Sequence, residues 1–242
     1  MFDRKKFDQE KEVNIKKNYE NKGLHDAALN FVTVSDKLNY AYNWTWLGIP
    51  IIQMPEDIVL AQEIIWETKP DVILETGIAW GGSVALYASI LELIGKGKVL
   101  AIDKVLDKTN TDPVMKYNFS KRIQLFRGSS TDDSVVSEVK KHIKPTDRVM
   151  VLLDSNHTHE HVYNELNTWA PLVKSGDYLV VSDTIVEELP KQTHRPRPWG
   201  VGDNPRTAVD QFLAENKNFT RENPYNYKAI NSYTRNGYLK CI

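Results

Sequence analysis

The 242-residue sequence contains a single cysteine, Cys241. A lone cysteine excludes an internal disulfide and any metal site built from several cysteines. Acidic and basic residues are nearly balanced, 32 against 31, so no global charge attracts nucleic acid or an anionic membrane. The longest apolar runs, such as Val149–Leu153, are far shorter than the roughly 20 residues that span a bilayer.

The N-terminal sequence also lacks the apolar segment of a secretory signal, and we find no internal repeat and no low-complexity tract. Apolar residues make up 41% of the chain and charged residues 26%, as in an ordinary globular protein. These absences lead us to expect a cytoplasmic protein with no nucleic-acid partner and no membrane partner.

The chain is predicted to have two parts. Residues 1–54 begin with a highly charged helical segment and continue into an aromatic stretch that includes Trp46. Met54-Pro55-Glu56-Asp57 is typical of a helix start, because proline suits the first turn and acids complement the positive end of the helix dipole. We therefore expect an N-terminal helical and aromatic extension, residues 1–54, followed by one α/β domain, residues 55–242.

Short apolar strands alternate with helices in the second part. The predicted strands are 71–75, 98–103, 123–126, 148–154 and 177–183. The predicted helices are 81–93, 132–142, 160–169 and 207–216. Strands that are apolar on both faces and separated by helices indicate a parallel sheet covered on both sides, wound in both directions from its centre.

The C-terminal region is predicted to close this sheet with an antiparallel hairpin. Its two strands are expected around Tyr225–Ile230 and Tyr238–Ile242, because Asn236-Gly237 is a strong hairpin signal. The predicted fold class is therefore α/β, with a Rossmann-like, mostly parallel, doubly wound sheet and an antiparallel C-terminal strand.

A glycine-rich turn follows the first strand of the domain. The spacing E-x-G-x-x-x-G in residues 75–83 matches neither the dinucleotide motif G-x-G-x-x-G nor a P-loop. Glycines let the backbone pass close to a ligand, and the next helix begins with free N–H groups. The second strand ends in Asp103, whose carboxylate can accept both hydroxyls of a ribose. A tight turn without any ligand is the alternative.

These features resemble class I S-adenosylmethionine methyltransferases, in which acid-ended first and second strands flank a glycine turn. The resemblance implies ten cofactor-binding residues: Glu75, Thr76, Gly77, Gly81, Gly82, Ser83, Asp103, Ser129, Ser130 and Asp154. Ser129 and Ser130 follow the third strand, where such enzymes contact adenine. A polar loop that caps the next helix explains the two serines equally well.

Carboxylates end the fourth and fifth strands, at Asp154 and Asp183. Neighbouring strands lie about 4.8 Å apart, and ligands of open α/β sheets bind at this edge, so the two acids can share one cation. Oxygen ligands with open water positions favour Mg²⁺, with Mn²⁺ or Ca²⁺ as alternatives. The alternative is that both acids only cap the helices that follow.

Three histidines follow the first of these acids, at positions 157, 159 and 161. We predict that this H-x-H-x-H run lies in a loop, so it does not form the helical i, i+4 pair of zinc peptidases. His157 lies three residues after Asp154, and an unperturbed pKa of roughly 6.5 suits a general base. We predict His157, Asp154 and His161 as catalytic residues and His159 as a residue that orients the substrate, with a structural role as the alternative for the last two histidines.

Longer segments resemble the cephalosporin hydroxylase family, which also includes rhamnosyl O-methyltransferases. The resemblance lies in 44–57, 74–83, 152–161, 180–187, 197–200 and 204–208, and it is most specific in the runs D-S-x-H-x-H-x-H-V and R-P-W-G. It implies a fold and metal site similar to catechol O-methyltransferase, with Asp154 and Asp183 as metal ligands. Ser182 stands where relatives can carry an acid, so the third ligand is Ser182, Glu187 or water.

The resemblance implies O-methylation of a vicinal hydroxyl of a sugar, in a polysaccharide or secondary-metabolite precursor, by a homo-oligomer. The predicted substrate residues are Trp46, Gln53, His159, Arg195 and Trp199. Core packing or an oligomer interface is the alternative for the aromatic segment, and an ordinary solvated loop is the alternative for 189–205.

Two other functions are considered. One is a non-haem iron hydroxylase with His157, Asp154 and His159 around the iron, which leaves the glycine turn unexplained. The other is a cofactor-binding protein without turnover, which the imperfect metal pair allows.

Overall fold

The structure is a computed structural model and describes residues 2–242. The chain begins with two helices, α1 (Arg4–Tyr19) and α2 (Lys22–Asp36). Their first turns are capped by Asp3 and Asn21, whose side chains accept backbone N–H groups. Helix α1 buries none of its residues, whereas α2 is amphipathic and buries Val32. Only α2 therefore contributes to a hydrophobic cluster.

A small antiparallel pair follows, formed by β1 (Trp44–Trp46) and β2 (Ile49–Ile51). The turn between them has positive φ at Leu47 and Gly48. Ile49 and Ile51 are buried in one of the two main cores, so this part of the predicted extension packs on the sheet domain. The division of the chain at residue 54 stays a prediction.

The central sheet has seven strands. They are β3 (Val72–Thr76), β4 (Lys98–Asp103), β5 (Ile123–Arg127), β6 (Val149–Leu153), β7 (Tyr178–Val181), β8 (Phe219–Thr220) and β9 (Tyr238–Cys241). Their order is β5-β4-β3-β6-β7-β9-β8, and β9 runs antiparallel to the other six strands. The predicted fold class, a mostly parallel doubly wound α/β sheet with an antiparallel C-terminal strand, is confirmed.

Helices cover both faces of the sheet. They are α3 (Pro55–Thr68), α4 (Gly82–Ile94), α5 (Lys108–Met115), α6 (Asp133–Lys140), α7 (His159–Trp169), α8 (Pro205–Glu215) and α9 (Pro224–Lys228). One core lies under α3 and α4, and the other lies under α7 and α8. Every residue of β3 and of β6 is buried, which accounts for the apolar runs Val72–Leu74 and Val149–Leu153. Among residues 2–242, no helix combines the length and the apolar character needed to cross a membrane.

The predicted strand at Tyr225–Ile230 is wrong. Asn223 caps a helix there, because its side chain accepts the N–H groups of Tyr225 and Asn226, and Pro224 occupies the first helical position. The strand β9 pairs instead with β7 and β8. Asn236-Gly237 is consequently a turn that enters β9, not the tip of a hairpin.

The segment before β9 is fixed by one buried carboxylate. Asp57, in the first turn of α3, accepts hydrogen bonds from the Ser232 hydroxyl, from the Tyr233 N–H at 2.9 Å and from the Tyr238 hydroxyl at 2.9 Å. Burial nevertheless raises the pKa of Asp57 to about 6. These bonds place Tyr233 at the carboxyl edge of the sheet.

Candidate functional site

Two adjoining cavities open at the carboxyl edge of the parallel strands. The main cavity, of about 330 Å³, lies over the ends of β3, β6 and β7. The second cavity, of about 230 Å³, lies over the ends of β4 and β5. Gly77, Asp103, Ser155 and Trp199 line both cavities, so one elongated ligand can occupy the two together.

The glycine turn is shaped by close backbone contacts. Gly77 has φ +82°, and a Cβ atom there would lie 2.2 Å from the Asp154 carbonyl oxygen. A Cβ atom on Gly82 would lie 2.3 Å from the Pro50 carbonyl oxygen. Gly81 immediately precedes α4, has φ +84° and provides no side-chain cap, which leaves the first N–H groups of the helix available. The glycines are therefore needed for packing, and the turn still presents donors to a ligand.

Glu75 is buried beside this turn and is 1% exposed. Burial, opposed by a hydrogen bond from Ser83 and assisted by the nearby charge of Asp103, raises its pKa to about 8. One carboxylate oxygen, Oε2, is buried without a hydrogen-bond partner within residues 2–242. A buried acceptor left unpaired is costly, so this oxygen is suited to a donor from a bound ligand.

Asp103 and Thr76, two of the predicted cofactor residues, connect the ends of neighbouring strands through hydrogen bonds. Asp103 accepts the N–H of Ile78 and that of Val105, each at 2.8 Å, which ties the glycine turn to β4. Thr76 Oγ1 accepts the N–H of Asp154 at 3.4 Å. Both carboxylate oxygens of Asp103 keep a second lone pair, because a carboxylate has about four acceptor sites. The Asp103 side chain can thus hold the turn and a ligand at once.

The wall of the second cavity contains a buried polar cluster. The Ser130 hydroxyl donates to Glu165, the Ser155 hydroxyl donates to Glu165 Oε1 at 2.8 Å, and His161 Nε2 lies 3.0 Å from the Ser155 hydroxyl oxygen. Ser129 lines the same cavity and pairs with the Thr131 hydroxyl at 3.1 Å. His161 thus lines the second cavity, and it is not among the residues of 2–242 that line the main cavity with Asp154 and Asp183.

Glu165, which is not among the residues predicted from the sequence, is fully buried at the centre of this cluster. The available signal was its spacing, because it follows His161 by one helical turn of α7. The serines that complete the cluster come from two different loops, and no local pattern connects those loops to α7.

A metal-type cluster forms in the main cavity. Asp154, His157 and Asp183 each offer one ligand atom, and these atoms all lie within 4.8 Å of one another. His157 Nε2 is 3.3 Å from Asp183 Oδ2. Burial, together with the negative charges of Asp183 and Glu75, raises the pKa of Asp154 well above its ordinary value. Two close carboxylates and an imidazole fit a divalent cation, whose charge offsets their repulsion.

The two other candidates for a third ligand lie elsewhere. Ser182 donates its backbone N–H to the Leu153 carbonyl at 3.0 Å, and it is not among the residues of 2–242 that line the main cavity. Glu187 accepts the Gly202 N–H at 2.8 Å and an N–H of the Asn204 amide. Its carboxylate thereby shapes the end of the 189–205 loop. The position next to the two acids is instead taken by His157.

The 189–205 loop covers the main cavity with two of the predicted substrate residues. Trp199 packs edge-on against His157, with ring centroids 4.8 Å apart. Arg195 lines the cavity and is paired with Asp36, which is 4% exposed at the end of α2. Asp36 also accepts from Gln192 at 2.8 Å. Asp36 is not among the residues predicted from the sequence, because no local pattern links it to a loop more than 150 residues later.

The remaining substrate candidates are spread more widely. Gln53 lines a small cavity of about 40 Å³ together with Ser83 and Asp154. Trp46 packs on the core and donates to the Ser89 hydroxyl at 3.1 Å. His159 joins α7 to α8 through Thr207 and Gln211, at 2.8 and 2.9 Å. The structure therefore places Gln53 at the candidate site and gives Trp46 and His159 contacts within the scaffold.

With this geometry established, comparison with known proteins gives a clear family. The family described as Rhamnosyl O-methyltransferase/CmcI matches residues 38–242. The chain belongs to this family. The rhamnosyl O-methyltransferase of Mycobacterium tuberculosis is 30% identical over 207 residues, covering 81% of this chain and 77% of the relative. That of Mycobacterium leprae is 30% identical over 181 residues, covering 73% and 74%.

Solved structures show the same fold at lower identity. A CmcI structure described as an Mg–SAM complex superposes with a TM-score of 0.60 at 18% identity, covering 83% of this chain and 77% of the other. A putative caffeoyl-CoA O-methyltransferase from Staphylococcus aureus gives 0.55 at 15% identity, covering 88% and 92%. Both likenesses support the class I methyltransferase architecture of the sheet.

The similarity to known proteins tests two of the predictions made from the sequence. The predicted family is confirmed, and so is the enzyme class, an S-adenosylmethionine-dependent O-methyltransferase. The roles of individual site residues, a homo-oligomeric state and a cytoplasmic location stay predictions.

Proposed function

We propose that the protein transfers the methyl group of S-adenosylmethionine to one of two vicinal hydroxyls of a sugar, in a polysaccharide or secondary-metabolite precursor, with Mg²⁺ or Mn²⁺ held at the site. The observation that carries this proposal is the cluster of Asp154, His157 and Asp183, which shares one cavity with the glycine turn. The names of the mycobacterial relatives support a sugar acceptor. The Mg–SAM complex of CmcI supports the two cofactors.

The cofactor would extend across both cavities. Asp103 would accept its ribose hydroxyls, and the loop at Ser129 and Ser130 would contact its adenine. The uncapped first turn of α4 would receive its carboxylate, since free N–H groups at a helix start bind anions. The unpaired Oε2 of Glu75 would take a donor from the same end of the molecule.

The cation would be held by Asp154 and Asp183, with water completing its coordination. When bound, the ion supplies Lewis-acid polarisation of the acceptor hydroxyls. The carboxylates would hold the ion between the tips of β6 and β7. Burial and then the charge of Asp183 raise the pKa of Asp154, and the ion's charge would offset the second of these causes. The vicinal hydroxyls would thereby be fixed next to the methyl donor, and such alignment is worth several powers of ten in rate.

His157 would accept the proton of the acceptor hydroxyl at Nε2, while the hydroxyl oxygen takes the methyl group, the sulfur–methyl bond breaks and S-adenosylhomocysteine leaves. Its position 3.3 Å from Asp183 Oδ2 brings that nitrogen to the place where the hydroxyls would lie. The edge-on packing of Trp199 orients the imidazole ring and covers it from the loop side. A positioned base of this kind contributes about 10²–10⁴ to the rate.

The arrangement gives less support to an iron hydroxylase. Both ring nitrogens of His159 lie within 2.9 Å of polar atoms on α8, so His159 is not placed to join His157 and Asp154 around one iron ion. The other alternative is a cofactor-binding protein without turnover. Such a protein would bind S-adenosylmethionine but transfer no methyl group in a direct assay.

The decisive experiment measures transfer from methyl-labelled S-adenosylmethionine to a panel of rhamnose-containing and other glycosides, with EDTA and then with added Mg²⁺. We expect transfer that requires the ion and that is lost in the double variant Asp154→Asn/Asp183→Asn. Asp112→Asn on the exposed face of α5 serves as the control. Cofactor binding without transfer to any glycoside would favour the protein without turnover, and equal transfer in EDTA would overturn the metal site.

A further inference from the structure

A third cavity lies within the 189–205 loop, next to the main cavity. It has a volume of about 580 Å³, in the range of ordinary small-molecule sites. Among residues 2–242, its charged lining residues are Lys191, Arg195 and Arg197, all of them cationic. We call it the basic cavity. The main cavity differs sharply, because its lining includes the acids of the metal-type cluster.

Two of the three cations are free to bind an anion. Arg195 is paired with Asp36, but Lys191 and Arg197 form no ion pair with any acid in residues 2–242. The Arg197 guanidinium lies 5.3 Å from the centre of the Trp199 ring, which holds it over the cavity wall.

The basic cavity is continuous with the candidate site. Gln192, Arg195, Arg197 and Trp199 line both the basic cavity and the main cavity. Trp199 touches His157, which in turn lies 3.3 Å from Asp183. A single acceptor can therefore place its hydroxyls at the acids and an attached anionic group at Lys191 and Arg197.

We propose that the acceptor is a phosphorylated sugar, a glycosyl phosphate or diphosphate, whose phosphate binds in the basic cavity. This inference rests on the proposed function and names its substrate class. Arginine and lysine are the usual protein ligands of phosphate. Arginine binds it through bidentate hydrogen bonds, and lysine binds it as a compact positive charge. The cavity itself does not distinguish a nucleoside diphosphate sugar from a lipid-linked one, since the two share the diphosphate.

The test is calorimetric titration of three probes, inorganic pyrophosphate, dTDP and geranyl diphosphate, in EDTA so that no cation bridges the probe to Asp154 and Asp183. We expect binding that weakens from 50 to 200 mM salt. The double variant Lys191→Gln/Arg197→Gln should bind at least tenfold more weakly, because two charge-assisted contacts are lost. Arg4→Gln/Lys141→Gln removes two exposed charges elsewhere and should bind like the wild type.

The source of the phosphate follows from the comparison of probes. Tighter binding of dTDP than of pyrophosphate supports a nucleotide sugar, and tighter binding of geranyl diphosphate supports a lipid-linked sugar. Absence of binding for all three probes, or unchanged affinity in Lys191→Gln/Arg197→Gln, would overturn the proposal. Failure of the proposed function would be seen separately, as an absence of methyl transfer by a protein that still binds pyrophosphate.

Discussion

The carboxylate of Asp36, at the end of α2, is paired with the guanidinium of Arg195, a residue 159 positions later in the chain. Gln192 and His194 contact the same carboxylate, at 2.8 and 3.0 Å. One buried acid therefore holds three residues of the loop that covers the main cavity. The N-terminal helices thus contribute to the candidate site, although the sequence gives no local sign of it.

Asp36→Asn should loosen this loop while leaving the cofactor region intact. The substitution keeps the shape of the side chain but removes the charge that pairs with Arg195. We expect the KM for the acceptor to rise about tenfold, the size of one lost charge-assisted contact, with little change in S-adenosylmethionine affinity. Proteolysis within the loop should become faster. Asp26→Asn, at an exposed pair on the same helix, is the control. An unchanged KM and unchanged cleavage would show that Asp36 does not position the loop.

His157→Ala tests whether His157 acts as a base or only supports the fold. We expect methyl transfer to fall by about 10²–10⁴ while S-adenosylmethionine still binds. His159→Ala is a matched control in the same motif, because its ring contacts α8; it should lower the melting temperature but keep the activity of the folded fraction. Loss of Mg²⁺ affinity in His157→Ala, measured by titration, would identify His157 as a ligand rather than the base.

Asp183→Asn should raise the melting temperature in the absence of the cation and reduce the stabilisation that the cation gives. Without metal, the substitution removes the charge that contributes to the raised pKa of Asp154, so the melting temperature should increase. With Mg²⁺, the wild type should gain stability in proportion to the logarithm of the ion concentration, whereas the variant should gain little. Thermal melts with EDTA and with Mg²⁺ test both effects. A variant that Mg²⁺ stabilises as much as the wild type would contradict a metal role for Asp183.

The parts of the site that the sequence predicts are those encoded by local patterns. The alternation of strands and helices places Asp103, Asp154 and Asp183 at strand ends, and the structure brings their side chains to one edge of the sheet. The position of Asp36 depends on how distant segments pack, and that of Glu165 depends on loops meeting a helix. The strand predicted at 225–230 failed for a local reason, because the cap at Asn223 outweighs the aromatic residues that favour a strand.

Glu75→Gln should remove a pH dependence of stability. Because the pKa of Glu75 rises from 4.5 to about 8 on folding, the folded protein binds more protons than the unfolded chain between these values. Stability from this group is therefore present at low pH and decreases as the pH rises towards 8, by at most about 1.4 kcal/mol per pH unit. Glutamine resembles the neutral acid and does not titrate. Urea unfolding at pH 6 and pH 8 should show a smaller decrease in Glu75→Gln than in the wild type; equal decreases would mean that Glu75 titrates normally.

Gly77→Ala should disrupt the cofactor site and the metal site together. At φ +82° an alanine is strained, and its Cβ would meet the Asp154 carbonyl oxygen at 2.2 Å, so the tip of β6 has to move. We expect loss of S-adenosylmethionine binding together with loss of Mg²⁺ binding, since the turn and the acid share this contact. Gly95→Ala is the matched control, because its φ of +86° carries a similar conformational cost while no atom lies within 4 Å of the new Cβ. That variant should lose about 1 kcal/mol of stability and keep both affinities. If Gly77→Ala binds both ligands like Gly95→Ala, the close approach of the two strand ends is not what shapes the site.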